Sequence, residues 1–360
     1  MRKDTKDMFV PEYWKGNVKD VDNAVKEVKK GKVTRLLDSA GNRPIYLFEY
    51  GRSSIEPPKV SMSSAYGARN FGFFADKTKD DYIPTVLFVG CMHGGEWEGT
   101  VALLNLIKLL ETGTDYKGEG HDDLLSAAEG LHILIIPIAN PDGRARIPFD
   151  NFVGKTFEDL RYYNQGTWLD GTLCGWPECM KLSPIKEYCD FLGGYFNDDG
   201  VNMYNDDFFL NPSHETLNVL RVARNNVPDM TVLFHGGDNT VGGFLATKYS
   251  TRAAFDAVKS YSLDVKAAFE KCGIKYNMAS AGFGEPESQS PPQTFGFPSA
   301  VHHTCGEPCA IYESNQGLCD KGNYILNNDQ IYTSHLLIFK TTFDWVRKSG
   351  STATKFNKKQ

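Results

Sequence analysis

No apolar run long enough to span a bilayer, roughly 18 residues, occurs in the chain. The start, Met1 to Trp14, has charged residues but no apolar stretch of the kind a secretory signal needs. Basic residues are not in excess: 39 Lys and Arg stand against 45 Asp and Glu, a net charge of −6. Only Lys26–Lys32 and the tail Lys355–Lys359 are locally basic, so a nucleic-acid-binding face is not expected. The Cys-x-x-Cys spacing of a structural zinc knuckle is also missing. Cys174 and Cys179 are five apart, and Cys305 and Cys309 are four apart. Without a signal segment, the cysteines are expected as reduced thiols and the protein as cytoplasmic, a Cys305–Cys309 link being the alternative. No repeat, low-complexity tract or linker divides the chain.

What the chain does have is size and alternation. At 360 residues it can bury about three quarters of its unfolded surface without cross-links. Thr85–Val89, Leu131–Ile138 and Met230–Phe234 are short continuous apolar runs, which predict strands buried on both faces. Val33–Leu37, Ile45–Tyr50 and Ala310–Tyr312 predict further strands. Helical spacing predicts helices over 19–31, Thr100–Leu110, His214–Asn225, Arg252–Lys271 and Ile331–Val346. Residues 51–80, 144–200 and 280–298 read as loops, and Asn140-Pro141-Asp142-Gly143 as a turn. Strands and helices alternate, so the expected class is α/β with helices on both sheet faces. One catalytic domain is expected over 1–360. Its core runs from about 40 to 346, with an accessory segment at 1–40 and a flexible tail at 350–360.

Three strand ends carry the chemistry. His93-Gly94-Gly95-Glu96 follows the run Thr85–Val89 and opens into a helix. Ligands in open α/β sheets bind beyond the carboxyl ends of strands. A His and a carboxylate three apart in such a turn can share one metal ion. His235 ends the run Met230–Phe234, so two His and one Glu reach the same sheet edge, a set that suits one catalytic zinc ion per chain. Glu313, at the end of Ala310–Tyr312, is the candidate base that takes a proton from the attacking water and returns it to the leaving amine.

Taken in order and spacing, His93–Glu96, Asn140–Gly143, His235 and Glu313 resemble the zinc carboxypeptidase family over roughly residues 40–346. The resemblance implies a three-layer α/β/α fold with a twisted, mixed, mostly parallel sheet of about eight strands. It also implies one zinc ion and promoted-water attack on an amide. The family's Arg that stabilises the oxyanion is best matched by Arg161, with Arg144 and Arg146 also available. Where the family has an Asn-Arg pair that grips a terminal carboxylate, this chain has Tyr204-Asn205, then Asp206-Asp207. Asn205 cannot make a bidentate ion pair. The expected substrate is therefore a peptide or small amide with a neutral or cationic group near the cleaved bond, contacted by residues 204–207. The family's mobile Tyr has no clear counterpart; His302 and His303 stand in that region as substrate-binding candidates. Two alternatives remain open: an aspartoacylase-like deacylase of a small N-acyl compound, and an inactive zinc-binding module.

Overall fold

The computed structural model describes residues 9–239, 242–245, 247–276 and 295–349. Residues 280–294 of the expected loop 280–298 and the tail at 350–360 lie outside them; Phe297 and Pro298, the end of that loop, open a helix instead. The helices are α1 (Val18–Glu27), α2 (Met62–Gly67), α3 (Glu98–Thr112), α4 (Asp122–Ala128), α5 (Pro141–Arg146) and α6 (Phe157–Leu160). They continue with α7 (His214–Asn226), α8 (Arg252–Lys271), α9 (Phe297–Cys305) and α10 (Asn328–Ser349). The strands are β1 (Lys32–Arg35), β2 (Tyr46–Tyr50), β3 (Thr85–Val89), β4 (His132–Ile136) and β5 (Gly166–Trp168). The rest are β6 (Cys189–Leu192), β7 (Met230–Gly236), β8 (Gly243–Leu245) and β9 (Cys309–Ser314).

Seven strands form one sheet in the order β1-β2-β4-β3-β7-β9-β8, while β5 and β6 pair separately. The four central strands β4, β3, β7 and β9 run parallel, and the edge pairings are antiparallel. The α/β class is as expected, with seven strands among the described residues instead of about eight.

Alternation along β3 explains the three layers. Val86 and Phe88 enter one core with residues of α1, α3, α8 and α10. Leu87 and Val89 enter the other, with residues of α7 and α9. A strand covered on both faces has no polar side to show, which is why its sequence is an unbroken apolar run. Val21 and Ala24 of α1 belong to the same core as β3, together with Tyr13 and Trp14. No helix among the described residues is long and apolar enough to cross a membrane, and all eight cysteines are free thiols.

The expected turn at Asn140–Gly143 is instead the start of α5. Asn140 caps it by accepting from the Gly143 N–H at 2.9 Å, and Pro141 occupies the first turn, where its missing N–H leaves nothing unpaired. At the opposite end of the sheet, the buried Asp229 accepts from Lys77 at 2.9 Å and from the Thr85 N–H at 2.8 Å. Lys77 also pairs with Glu307 at 3.0 Å. These contacts tie the starts of β3, β7 and β9 together, so their carboxyl ends emerge side by side.

His335 of α10 lies between Phe234 and Tyr312, ring centroids 5.4 and 5.3 Å away. Burial holds its pKa down to about 4, although its Nδ1–H donates to the Ile331 carbonyl. It stays neutral when folded but protonates near pH 6.5 when unfolded, so its contribution is complete above that pH and lost as pH falls to about 4. Glu98, pushed up to about 8 by burial, acts in the opposite direction. A difference measurement therefore isolates the histidine. In urea unfolding, the stability advantage of wild type over His335→Phe is expected to fall by about 3 kcal/mol between pH 7.5 and pH 4. An advantage independent of pH removes this assignment.

Candidate metal centre

β3 delivers His93 through a strained connection: Cys91, between strand and ligand, has a left-handed backbone at φ +48°. Asn140, the cap of α5, holds this strap by donating to the Met92 carbonyl at 3.2 Å. Gly94 and Gly95 are required by close neighbours. A Cβ on Gly94 would lie 2.1 Å from the carbonyl carbon of Gly143, and one on Gly95 would lie 2.6 Å from the Asn164 side chain. The turn is wedged against the first turn of α5, and no side chain fits.

His93, Glu96 and His235 converge, with their ligand atoms all within 4.8 Å of one another. All three are buried. Nδ1 of His93 lies 2.9 Å from both Glu96 oxygens, and Nδ1 of His235 lies 2.9 Å from Oε2. The Gly236 N–H and the Asn164 carboxamide also donate to Glu96, each at 3.2 Å. Burial raises the Glu96 carboxyl pKa, but the two histidines outweigh it and hold the group well below the usual carboxylate range.

The hydrogen bonds around His93 test whether a cation fits. Asn202 Oδ1 accepts from the Tyr204 N–H at 2.9 Å, which fixes its oxygen. Nε2 of His93, 3.1 Å from the same oxygen, must then be the donor. A neutral His93 then turns its Nδ1 lone pair towards the Glu96 carboxylate at 2.9 Å, whereas a protonated one donates there. In either form the buried carboxylate faces a position that takes a cation, a proton on His93 or a metal ion. Two imidazole nitrogens and a carboxylate match the donor set of a catalytic zinc ion, and neutral imidazole is its required form. The donor set therefore fits the ion that the sequence implies.

Glu313 stands in direct register with His235 across the parallel β7–β9 pair. Burial pushes its carboxyl up to about 7; His235 opposes this, and Glu96 and Asp238 add to it. Tyr195, from the segment between β6 and α7, stacks on His93 with centroids 3.7 Å apart and planes 6° apart. The Tyr204 ring lies 5.8 Å from that of His235.

Several expected site residues have other work. Arg144 is buried, donates to the carbonyls of Gly16, Ile147 and Phe149, and packs over Trp97 at 4.1 Å. Arg146 pairs with Asp198 at 2.6 Å and donates to the Gly193 carbonyl. Arg161 lies against Gly175, where any Cβ would collide with its guanidinium. Among the described residues it makes no hydrogen bond to the metal set. Asp206 is not a free acidic contact: its oxygens accept from the N–H of Asp207 and from the N–H and hydroxyl of Ser213. Asp207 is exposed and accepts from the Leu210 N–H. His302 is a buried structural histidine whose Nε2 accepts from the Thr251 N–H while its Nδ1–H donates to the Glu307 carbonyl. His303 is exposed and bonds the Tyr249 carbonyl. Asn205 has a buried oxygen without a partner.

Three residues at the centre escape a reading of the sequence: Asn164, Asn202 and Tyr195. Asn164 lies three residues past Arg161, in the five-residue π-helical turn Arg161–Gln165. That wide turn aims the carboxamide at Glu96, and nothing in the local residue pattern signals it.

The family model for zinc carboxypeptidase matches residues 27–156, a span that holds His93, Glu96 and the α5 cap. A search of curated proteins found no match. Among solved structures, a metallo-carboxypeptidase from Burkholderia cenocepacia superposes with a TM-score of 0.54 at 14% identity, covering 92% of this chain and 68% of that one. A metallo-carboxypeptidase from Pseudomonas aeruginosa gives 0.53 at 13% identity, covering 91% and 68%. Carboxypeptidase A from Helicoverpa armigera gives 0.52 at 13% identity, covering 96% and 76%. At such identities the superpositions speak for the fold, while the family match speaks for the segment bearing the first two candidate ligands. On these grounds residues 27–156 match the zinc carboxypeptidase family, and the chain shares the fold of solved metallo-carboxypeptidases.

Proposed function

We propose that the protein is a zinc-dependent hydrolase of a peptide or small amide, holding one zinc ion through His93, Glu96 and His235, with Glu313 as general base. The observation that carries this reading is the convergence of two imidazole nitrogens and a buried carboxylate within 4.8 Å of one another, with Asn202 engaging Nε2 of His93 so that Nδ1 faces the other two. Bound there, zinc would supply Lewis-acid polarisation of the substrate carbonyl and of the attacking water. The chain supplies the rest. Asn202 keeps His93 in its metal-binding tautomer, and Tyr195 keeps the ring in plane. Asn164 and the Gly236 N–H orient Glu96. Glu313 accepts a proton from water and donates it to the leaving amine.

Substrate recognition departs from carboxylate capture. Arg144 and Arg146 are committed elsewhere, and Arg161 points to Gly175. The carboxamides that bond the metal set directly, Asn164 and Asn202, are neutral. Without a placed guanidinium, a free carboxylate gains no bidentate partner. The test pairs peptides of one sequence with free and amidated C-termini, alongside small N-acyl amino acids. Purified protein is expected to hold one zinc per chain and to cleave the amidated peptide within a few-fold of the free one. Strict dependence on the free carboxylate sinks the recognition reading. Cleavage of the N-acyl compounds alone favours the deacylase. Zinc without turnover on any of these favours the binding module.

A further inference from the structure

The peptide of Gly95, between two candidate ligands, is held from both sides. Its N–H donates to Asn164 Oδ1 at 3.0 Å, and its carbonyl accepts from Nε2 of Gln316 at 2.9 Å. Asn164 also bonds Glu96. Gln316 does not: among the described residues its carboxamide makes no hydrogen bond to His93, Glu96 or His235. It is buried, and it reaches Gly95 from 221 residues further along the chain. The proposed reaction assigns it no part.

Gln316 follows Glu313 closely, just past the end of β9 at Ser314. That exit is pinned. The Gly237 N–H donates to the Ser314 carbonyl at 3.1 Å, and the Asn315 carboxamide donates to the Tyr324 carbonyl at 2.7 Å. The Gln316 side chain also leaves no room for one on Gly236, the neighbour of His235. A Cβ there would lie 2.9 Å from Gln316 Nε2 and 2.9 Å from Oε2 of Glu98. The exits of β3, β7 and β9 therefore meet on one carboxamide. The base itself has no such tie. Among the described residues no hydrogen bond holds the Glu313 carboxyl group, so the backbone on either side of it sets its place.

We propose that Gln316 is a positioning residue for the hydrolysis: by tying the turn between His93 and Glu96 to the chain beyond Glu313, it sets the distance of the general base from the metal. A misplacement of about 1 Å between reacting groups can cost about 10²-fold in rate, so one long-range hydrogen bond at this junction has a large effect on turnover. The proposal rests on the reading of His93, Glu96 and His235 as a zinc hydrolase centre with Glu313 as its base.

Gln316→Met keeps the length and bulk of the side chain and removes its donor. It is assayed in the zinc-loaded full chain, on the substrate cleaved fastest among the peptides and N-acyl amino acids above. The expected loss is about 10- to 100-fold in kcat, with KM within about threefold of wild type. The decisive comparison adds a second background. With Glu313→Gln already in place, Gln316→Met should change the residual turnover by less than about threefold, because residues that act as a unit do not add. Zinc affinity, read by competition with a chelator, should stay within about threefold of wild type, whereas loss of a group that orients a ligand typically costs 10- to 100-fold. Unchanged turnover, an equal loss in both backgrounds, a rise in KM alone or a tenfold loss of zinc affinity overturns the assignment. Should Gln316→Met not fold, Gln316→Asn, whose carboxamide is one methylene short of Gly95, takes its place in each comparison. Failure of the hydrolase reading looks different. A Glu313→Gln variant with full turnover, or a wild-type chain that cleaves none of these substrates, removes that reading and the role of Gln316 with it.

Discussion

Glu313→Gln is expected to lower turnover by about 10²–10⁴-fold, with the bound zinc retained. Glutamine keeps the length and a hydrogen-bonding oxygen of glutamate but cannot accept a proton. Glu313 is outside the donor set, since His93, Glu96 and His235 complete it without its help. It is nevertheless carried to the same edge, opposite His235 on the neighbouring parallel strand. The loss should therefore fall on kcat, with KM little changed, and zinc content measured on the same sample should equal that of wild type. A Glu313→Gln variant with full turnover removes the general base from the mechanism. One that loses zinc shows the residue to be a ligand.

His235→Ala produces the second large effect. It removes one of three donors and leaves Glu96 facing His93 across a buried space with one fewer partner. Loss of a residue that merely orients a ligand typically costs 10- to 100-fold in metal affinity. Loss of the ligand itself is expected to exceed about 100-fold, with turnover falling in parallel. Competition with a chelator measures the first and a single amide substrate the second. Affinity within a few-fold of wild type would show that the ion is held elsewhere. His302→Ala is a useful contrast. That histidine bonds Thr251 and Glu307 and not the metal set, so its removal should reduce stability and leave zinc affinity unchanged.

Parts of the fold were plain in the residues. β3 matches its apolar run at both ends, and α8 and the start of α7 fall where helical spacing places them. Local rules decide those segments, because a buried strand must be apolar throughout and an amphipathic helix must repeat. α4 and α9 were not foreseen. α4 is a single short run with few periods to read. α9 begins beyond a Gly- and Pro-rich stretch that masks its onset. Asn140-Pro141-Asp142-Gly143 read as a turn because Asn, Pro and Gly serve turns and helix starts alike. Packing against Gly94 selects the helix start here.

The same division holds at the metal centre. His93, Glu96, His235 and Glu313 could be named from the chain alone, because strand ends of a parallel sheet bring distant residues to one edge whatever the loops do. The roles of the arginines and of Asp206 could not, because a polar side chain in a loop has several partners within reach. Which one it takes depends on backbone brought from 50 or 100 residues away. Arg144 reaches the Gly16 carbonyl at 2.8 Å, a contact that no local pattern encodes. Asn164, Asn202 and Tyr195 became part of the centre for the same reason. The sequence alone determined the central strands, the residues at their carboxyl ends and the candidate metal set. The tertiary structure decided which neutral groups surround that set and which charges are spent elsewhere, since long-range hydrogen bonds form only once the sheet has closed.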